Sequence, residues 1–289
     1  MHLTLCAFCI AAIPFLLGAA PATTQGAADL RVMTFNLRTS TAMDGENGWD
    51  HRREMLIRAV RAADPDLLGT QECQLGQGDY LREKLADYTF VGVGRDDGKR
   101  KGEFAAILFR TDRFELLDSG TFWLSEHPDQ VGKKGWDAQL ARICTWAKLK
   151  DRGNGKAFLF LNTHFDHIGK VARVESAKLM RRWIDERARD LPVVVTGDFN
   201  ANAESEPYRA LLDAAEGSVK LTDVYRAGHA AGGDESTFHG FSGKGTGIRI
   251  DWIFCSGEFE LIASEIDRFS ENGRYPSDHF PVTATIRWR

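Results

Sequence analysis

The chain has 289 residues, 43% of them hydrophobic and 27% charged, which places it among globular proteins able to bury one large core. A formal net charge of −4 excludes the strong basic field expected of a general nucleic-acid binder. We therefore expect a single domain, in which a local patch of cations could still bind a charged substrate.

The N-terminal segment has the features of an export signal. Residues 3–20 carry no acidic or basic side chain, although Pro14 interrupts them and they are short for a membrane span. Small residues at 20–22 and 26–28 offer alternative cleavage points. We expect a signal peptide over residues 1–28 and a periplasmic or extracellular protein over 29–289; a retained N-terminal membrane anchor is the alternative.

Short apolar runs after this segment predict β-strands, and apolar residues at helical spacing predict helices. The helices cover residues 51–62 and 171–188, and Pro207 opens a third, over 207–212. Strands and helices alternate at both ends of the chain around a strand-rich middle, which predicts a mixed sheet sandwich with helices on its outer faces. The predicted strands are Leu30–Asn36, 66–70, 104–109, 143–149, 158–163, 192–196, 250–254 and Val282–Trp288.

Two further features bear on chemistry. The glycine- and charge-rich stretches 92–102 and 228–247 interrupt the strand pattern, and we interpret them as active-site loops. Cys73, Cys144 and Cys255 follow the leader in an odd number and at wide spacing, which favours small apolar core residues over a disulfide framework or a zinc site.

Polar side chains follow the central strands where each strand ends. Asp198 and Asn200 follow the run 193–195, and His164 follows 158–163 with Asp166 two residues later. The carboxyl ends of strands are where sites commonly form. Glycine, aspartate and asparagine are also turn formers, and a histidine after a strand is often structural, so each signal is weak alone.

The last two strands add an acid and an imidazole. Asp251 lies inside an apolar run and would need a partner if it is buried. His279 would be that partner, because the carboxylate would orient the imidazole and stabilise its positive charge. A structural ion pair is the alternative. Asp278 precedes His279, Asn36 ends the first strand and Glu72 follows the second, so carboxylates, amides and imidazoles converge from five strand ends.

Hard oxygen ligands of this kind select Mg²⁺, or Mn²⁺ or Ca²⁺, over Zn²⁺. We expect Glu72 to be the main metal ligand, with Asn36 and Asp278 completing the shell, and the metal to leave positions for a phosphate oxygen.

Hydrolysis of a phosphate ester then follows from the remaining side chains. His279, held by Asp251, activates the attacking water; Asp198 shares that task; Asn200 and His164 donate hydrogen bonds to the phosphate.

The ordered motifs resemble those of the endonuclease/exonuclease/phosphatase superfamily of DNase-like enzymes across nearly the whole chain after the leader. They are Thr34-Phe35-Asn36, Gln71-Glu72, Asn162-Thr163-His164, Gly197-Asp198-Phe199-Asn200, Ile250-Asp251 and Ser277-Asp278-His279. The resemblance implies an α/β fold, a four-layered α/β/β/α sandwich of two mixed sheets packed face to face with outer helices. It also implies an active site between the tops of the two sheets.

Segments 44–49, 120–125 and 135–137 are similar to a branch nearer to nocturnin and the deadenylases than to pancreatic-type DNases. Within this branch, the resemblance suggests that Arg142 faces the substrate phosphate; a surface arginine is the alternative. Two groups of cations could bind phosphate or could remain solvated: the run 95–101, and Lys170 with Arg173 after the His164 loop. Asp166 is a further candidate substrate contact.

The acidic balance and the aromatic loops favour a phosphodiester of a small or nucleotide-like molecule as substrate. An extracellular nuclease acting on DNA or RNA is the first alternative, and a catalytically inactive binding protein on the same scaffold is the second. We identify no exposed apolar hairpin for a bilayer, so no membrane partner is expected.

Overall fold

The computed structural model of the protein describes residues 29–289, so the predicted signal peptide over 1–28 lies outside the described residues. Within residues 29–289, twelve strands and five α-helices follow one another. The strands are β1 (Leu30–Asn36), β2 (Leu67–Cys73), β3 (Tyr88–Val91), β4 (Phe104–Arg110), β5 (Phe114–Trp123), β6 (Ile143–Asp151), β7 (Ala157–His164), β8 (Val193–Asp198), β9 (Leu221–Asp223), β10 (Asp251–Ser256), β11 (Phe259–Ile266) and β12 (Val282–Trp288). The helices are α1 (Trp49–Ala63), α2 (Leu75–Lys84), α3 (Lys170–Arg187), α4 (Glu206–Leu212) and α5 (Val224–Gly228), with a 3₁₀ turn at Gly45–Asn47.

The strands form two mixed sheets of six. Sheet 1 has the order β11-β12-β1-β2-β4-β3, and sheet 2 has the order β5-β6-β7-β8-β10-β9. Each sheet contains one parallel pair among antiparallel neighbours, β1 with β2 in sheet 1 and β7 with β8 in sheet 2. Two mixed six-stranded sheets with helices confirm the predicted α/β sandwich.

Three buried apolar clusters show how the layers pack. One lies between the sheets, where Val32 and Ile107 of sheet 1 meet Phe160 and Ile253 of sheet 2. A second joins sheet 1 to α1 and α2, and a third joins sheet 2 to α3 and α4. Because the central strands are buried on both faces, their sequences are continuous apolar runs rather than alternating ones.

The elements that the sequence did not predict are at the edges or are polar. β5 and β11 are edge strands whose middle residues are largely exposed, so their apolar runs are interrupted. Helix α2 has the sequence LGQGDYLREK, in which two glycines and several charged residues obscure the helical period. The short strands β3 and β9 and the five-residue helix α5 give too little pattern to detect.

A buried polar network crosses from one sheet to the other beneath the strand ends. Asn162 Nδ2 donates to the carbonyl oxygens of Thr70, at 2.8 Å, and Ala106, at 3.0 Å. Asn162 Oδ1 accepts from Gln71 Nε2 at 2.7 Å and from Thr196 Oγ1 at 3.0 Å. These side chains are fully buried, and we call them the inter-sheet network. The bonds from Asn162 to Thr70, Gln71 and Ala106 join sheet 2 to sheet 1 and hold the two sheets at one register and spacing. Gln71 Oε1 has no hydrogen-bond partner within residues 29–289.

Gly69 is required by this close approach. A Cβ added there would lie 2.1 Å from Thr196 Oγ1 and 2.5 Å from Asn162 Oδ1. Cys73, Cys144 and Cys255 are buried and unpaired. None of the helices between residues 29 and 289 is long and apolar enough to cross a membrane.

Candidate active site

The polar ends of strands from both sheets converge on one cleft of about 370 Å³, the catalytic cleft. The convergence follows from strand direction, because β1 and β2, like β7 and β8, run parallel and end at the same edge. Asn36 and Asp251 lie immediately behind its wall. The lining residues are Arg38, Glu72, Glu103, Leu140, Arg142, His164, His167, Asp198, Asn200, Phe238, Ile250, Asp278 and His279.

His279 and Asp251 form a buried pair at one side of the cleft. His279 Nδ1 lies 2.9 Å from Asp251 Oδ2, and both side chains are at most 5% exposed. Burial would lower the pKa of His279, but the Asp251 and Asp198 carboxylates outweigh it and hold the pKa above its ordinary value. The other ring nitrogen, Nε2, faces Asp198 Oδ2 at 3.9 Å. The pair therefore presents a charged, oriented imidazole to the cleft.

Asp198 occupies the centre of the site. Its Oδ2 accepts a hydrogen bond from Asn36 Nδ2 at 2.8 Å and lies 3.5 Å from His164 Nε2. Burial and the neighbouring Asp251 charge raise the pKa of Asp198. A carboxylate with a raised pKa can accept a proton more readily than an ordinary one, which suits a group that takes a proton from water.

Glu72 is held in a strained but well-supported position. Its backbone adopts a φ of +56°, a left-handed conformation that costs free energy for a residue with a side chain. Asn36 Nδ2 donates to its Oε1 at 3.0 Å and the Thr39 N–H to its Oε2 at 2.9 Å. Burial would raise the pKa of Glu72, but the charge of His279 and these hydrogen bonds outweigh it and lower the pKa. Glu72 is therefore an anion at neutral pH.

The donor set suits a hard divalent cation. Carboxylate oxygens of Glu72 and Asp198 lie within 4.8 Å of each other and of a His279 ring nitrogen, so two carboxylates face a common point. The charged imidazole of His279 offers no free nitrogen to a cation, so the carboxylates are the ligands. Asp278 also lines the cleft, where burial raises the pKa of its carboxyl and Arg38 Nη1 approaches its Oδ2 at 3.5 Å. Glu72 faces this point together with Asp198, which the sequence did not assign to the metal, and the role of Asp278 as a further ligand stays a prediction.

Asn36 is placed differently from its predicted role as a metal ligand. Its Oδ1 accepts the Arg38 N–H at 2.9 Å, so its nitrogen, not its oxygen, faces Glu72 and Asp198. In this arrangement Asn36 braces the two carboxylates rather than offering an oxygen to a cation.

His164 and Asn200 form the opposite side of the cleft. Asn200 Nδ2 lies 3.0 Å from His164 Nε2 and donates to the Phe165 carbonyl at 3.0 Å. Asn200 also has a left-handed backbone, with a φ of +48°, stabilised because its N–H donates to Asp198 Oδ1. Burial and the charges of Arg142 and Arg95 hold the pKa of His164 well below its ordinary value, so its imidazole is neutral.

Arg142 lies in the cleft wall with part of its guanidinium unused. The side chain is 4% exposed; its Nη2 lies 3.0 Å from His167 Nδ1 and its Nε 3.4 Å from Asp166 Oδ2. Within the described chain, Nη1 is buried without a hydrogen-bond partner. A buried cation with an unpaired donor in the wall of a cleft is suited to an anion.

Asp166 is 1% exposed and its carboxylate is occupied by the protein itself. Its Oδ1 accepts from the N–H groups of Ile168 and Gly169 at 3.0 and 2.7 Å. Burial would raise the pKa of Asp166, but such backbone donors outweigh it and lower the pKa to about 2. The geometry thus makes Asp166 an anchor for the loop and for Arg142 rather than the substrate contact that the sequence predicted.

Lys170 and Arg173 do not line the catalytic cleft. They line a neighbouring cleft that shares Asn200 and Ile250 with it. Arg173 Nη1 donates to the Asp166 carbonyl at 2.9 Å.

Glu103 lines the cleft although the sequence did not single it out, and Arg95, from the cationic run 95–101, pairs with it without lining the cleft. Glu103 Oε2 accepts from Arg95 Nη1 at 2.5 Å and lies 3.9 Å from His164 Nδ1. Burial raises the pKa of Glu103. Glu103 directly precedes β4, which runs antiparallel to β2, so the start of β4 lies at the edge where β2 ends. A search for polar residues after strands does not find Glu103, because it precedes its strand. The direction of β4 relative to β2 is the feature that identifies it.

The fold and the cleft together define a class of hydrolases that cleave phosphate esters with carboxylate, amide and imidazole side chains on a two-sheet sandwich. The chain belongs to the endonuclease/exonuclease/phosphatase family, whose model matches residues 33–279. This match confirms the resemblance found in the ordered motifs.

Two solved structures of the same family have higher sequence identity to this chain than the curated proteins do. A family member from Bacteroides thetaiotaomicron is 40% identical, with a TM-score of 0.84 over 91% of this chain and 98% of that one. A mannosyl-6-phosphatase from the same species is 41% identical, with a TM-score of 0.82 over 90% of this chain and 100% of that one.

Similarity to curated proteins is more distant. Drosophila melanogaster nocturnin is 22% identical over 207 residues, which are 64% of this chain and 30% of nocturnin. The chain spans 18% to 64% of the lengths of the curated relatives compared.

Proposed function

We propose that the protein is a divalent-metal-dependent phosphatase that hydrolyses a phosphate monoester of a small, sugar-like molecule. The observation that carries this proposal is the meeting of Glu72, Asp198 and the His279–Asp251 pair in one cleft, with ligand atoms of the first two and of His279 within 4.8 Å. Mg²⁺ is the preferred ion, with Mn²⁺ or Ca²⁺ as substitutes, because the charged donors are mainly carboxylate oxygens.

Each side of the cleft has a distinct task in this reaction. Asp198 and His279 orient a water molecule for in-line attack, and Asp198 accepts its proton. Asn200 and the buried guanidinium of Arg142 hold the phosphate oxygens as charge builds on them. Asn200 Nδ2, 3.0 Å from His164 Nε2, also positions the His164 ring beside them. Glu72 and Asp198 would hold the metal ion, which would supply positive charge to offset that of a phosphate oxygen.

A monoester is favoured over the diester expected from the sequence. Arg142 and Arg38 both line the cleft, and a second negative charge on the phosphate gains from two guanidinium groups. The mannosyl-6-phosphatase at 41% identity, matched over its whole length, supports a sugar phosphate.

A nucleotide-like phosphodiester, including single-stranded DNA or RNA, is the second candidate. Phe238 is 43% exposed at the cleft, with its ring centre 5.1 Å from that of His279. An exposed aromatic ring beside a phosphate site can stack on a base.

A substrate screen tests the proposal. Nitrophenyl phosphate, bis-nitrophenyl phosphate, hexose 6-phosphates, nucleotides and nucleic acids are incubated with Mg²⁺, Mn²⁺, Ca²⁺ or EDTA. We expect metal-dependent release of phosphate from monoesters, abolished by EDTA and reduced about 100-fold or more by Asp198→Asn. Asp118→Asn, an exposed carboxylate on β5, is the matched control. Activity that persists in EDTA, or an Asp198→Asn enzyme as active as the control, contradicts it.

Arg142→Met separates the two substrate candidates. Loss of one charge-assisted hydrogen bond should lower kcat/KM for nitrophenyl phosphate by about 10- to 100-fold. The loss should be smaller for bis-nitrophenyl phosphate, which carries one charge less. An equal loss for both esters, with the diester hydrolysed faster, favours the diesterase.

We further propose that residues 1–28 direct export. Their uncharged apolar stretch followed by small residues supports this. Fractionation of expressing bacteria and N-terminal sequencing of the exported protein test it; a protein retained in the cytoplasm with an intact N-terminus contradicts it.

A further inference from the structure

A second cleft of about 470 Å³ adjoins the catalytic one. It lies between the start of α3, the loop between β8 and α4, and the residues just before β10. Asn200 and Ile250 line both clefts, so a group attached to a phosphate at Asn200 can continue directly past Ile250 into the second cleft. Its volume is within the range of small-molecule sites.

Polar side chains in the second cleft have no protein partner. Within residues 29–289, Lys170 and Glu206 make no ion pair and the Asn202 side chain makes no hydrogen bond, although all three line the cleft. The Ser205 hydroxyl is shielded from solvent and also has no hydrogen-bond partner there. Arginines of the same surface are used differently, since Arg173 donates to a backbone carbonyl. The second cleft thus offers an amine, a carboxylate and an amide for recognition, beside a shielded hydroxyl.

The composition of this set selects a neutral, hydroxylated ligand. A second phosphate would gain from Lys170 and from the Arg173 charge, although Arg173 already donates to the Asp166 carbonyl, and would be repelled by the Glu206 carboxylate. Sugar hydroxyls both donate and accept, so they can bind an ammonium group, a carboxylate and an amide at once. Ile248, 43% exposed, and Ile250 provide an apolar surface for the C–H face of a ring.

We propose that the second cleft binds a neutral glycosyl unit joined to the phosphorylated sugar, so that the substrate is a phosphorylated oligosaccharide rather than a free hexose phosphate. This proposal rests on the proposed phosphatase function. The catalytic cleft then holds the phosphate and the first ring, and the second cleft holds the next ring.

Two substrates that differ by one ring test the proposal. Mannose 6-phosphate occupies the catalytic cleft alone, whereas mannobiose phosphorylated at O6 of one ring carries a second mannose. For the wild-type enzyme we expect kcat/KM for the disaccharide to exceed that for the monosaccharide by about tenfold, the gain from one or two hydrogen bonds. The ratio of the two kcat/KM values is the measured quantity, because it cancels changes in folding or in active fraction.

The variants remove second-cleft contacts without touching the catalytic cleft. Lys170→Met keeps the length of the side chain and removes its charge, and Asn202→Ala removes an amide. Each should reduce the ratio several-fold, and together they should reduce it to about one. Lys178→Met is the matched control: Lys178 lies on the same helix and pairs with Glu175 at 2.8 Å, and its substitution should leave the ratio unchanged.

The outcomes separate the two proposals. A wild-type ratio near one, or a ratio unaffected by the double variant while nitrophenyl phosphate is hydrolysed, overturns the second cleft alone. A wild-type enzyme that hydrolyses no phosphate ester with any of the metals overturns the phosphatase function and the second cleft with it. Faster hydrolysis of AMP than of either sugar phosphate, with the same sensitivity to Lys170→Met, assigns the second cleft to a nucleoside and also overturns the glycosyl proposal.

Discussion

Replacing Asp251 by asparagine should reduce kcat strongly while leaving the fold intact. The substitution keeps the size of the side chain but removes the negative charge 2.9 Å from His279 Nδ1. Both side chains are at most 5% exposed, so water cannot replace the lost partner. Breaking a buried charged pair of this kind costs about 3–5 kcal/mol. If that cost falls on the transition state, kcat decreases by about 150- to 5,000-fold.

Steady-state hydrolysis of nitrophenyl phosphate at saturating Mg²⁺ measures this loss, with circular dichroism to confirm folding. Asp118→Asn on the exposed part of β5 should keep wild-type kcat. The double variant Asp251→Asn/His279→Ala should be no slower than His279→Ala alone, because Asp251 acts through His279. A kcat within threefold of wild type, or losses that multiply in the double variant, would refute the pairing as the source of activity.

Three other predictions follow from the packing and the charges. Glu72→Gln should raise the Mg²⁺ concentration for half-maximal activity by about 100-fold or more, since even residues that only orient ligands change metal affinity by about 10- to 100-fold; an unshifted Mg²⁺ titration contradicts this. Gly69→Ala should lower the free energy of unfolding in urea by about 1–3 kcal/mol because its Cβ meets Thr196 Oγ1 at 2.1 Å, whereas Gly76→Ala, in open space on α2, should not destabilise. The pKa of Asp166 is lowered to about 2, so the stability that its carboxylate contributes is present above its unfolded pKa and is lost as the pH falls towards about 2. The difference in free energy of unfolding between wild type and Asp166→Asn should therefore shrink from about pH 6 to pH 2.5. A difference that stays constant over this range contradicts the prediction.

The central strands could be predicted because burial on both faces leaves a continuous apolar signature. β1 and β12 match their predicted bounds. The buried strand β8 covers Val193–Asp198, so it begins one residue after the predicted start and ends two residues after the predicted end. Edge strands such as β5 have one solvated face, and helix α2 buries few side chains, so neither carries that signature. Tertiary packing, rather than local pattern, determines those elements.

The site shows the same division between local and long-range information. Asp198 and Glu72 were predictable because each follows an apolar strand at the edge where parallel strands end. The orientation of Asn36 was not, because the backbone N–H of Arg38 decides which amide atom faces the carboxylates. Glu103 was missed because it precedes its strand, and only the antiparallel pairing of β4 with β2 brings it to the cleft.

The inter-sheet network determines how early the enzyme loses activity during denaturation. Glu72 belongs to sheet 1 and Asp198 to sheet 2, so neither sheet contains a complete site. A partly unfolded form that keeps both sheets but loosens the hydrogen bonds of Asn162 would retain its strands and lose its chemistry. Enzyme activity is then a more sensitive measure of the contact between the sheets than any spectroscopic measure of strand content. A cation bound by residues of both sheets would stabilise that contact, and its removal would weaken it.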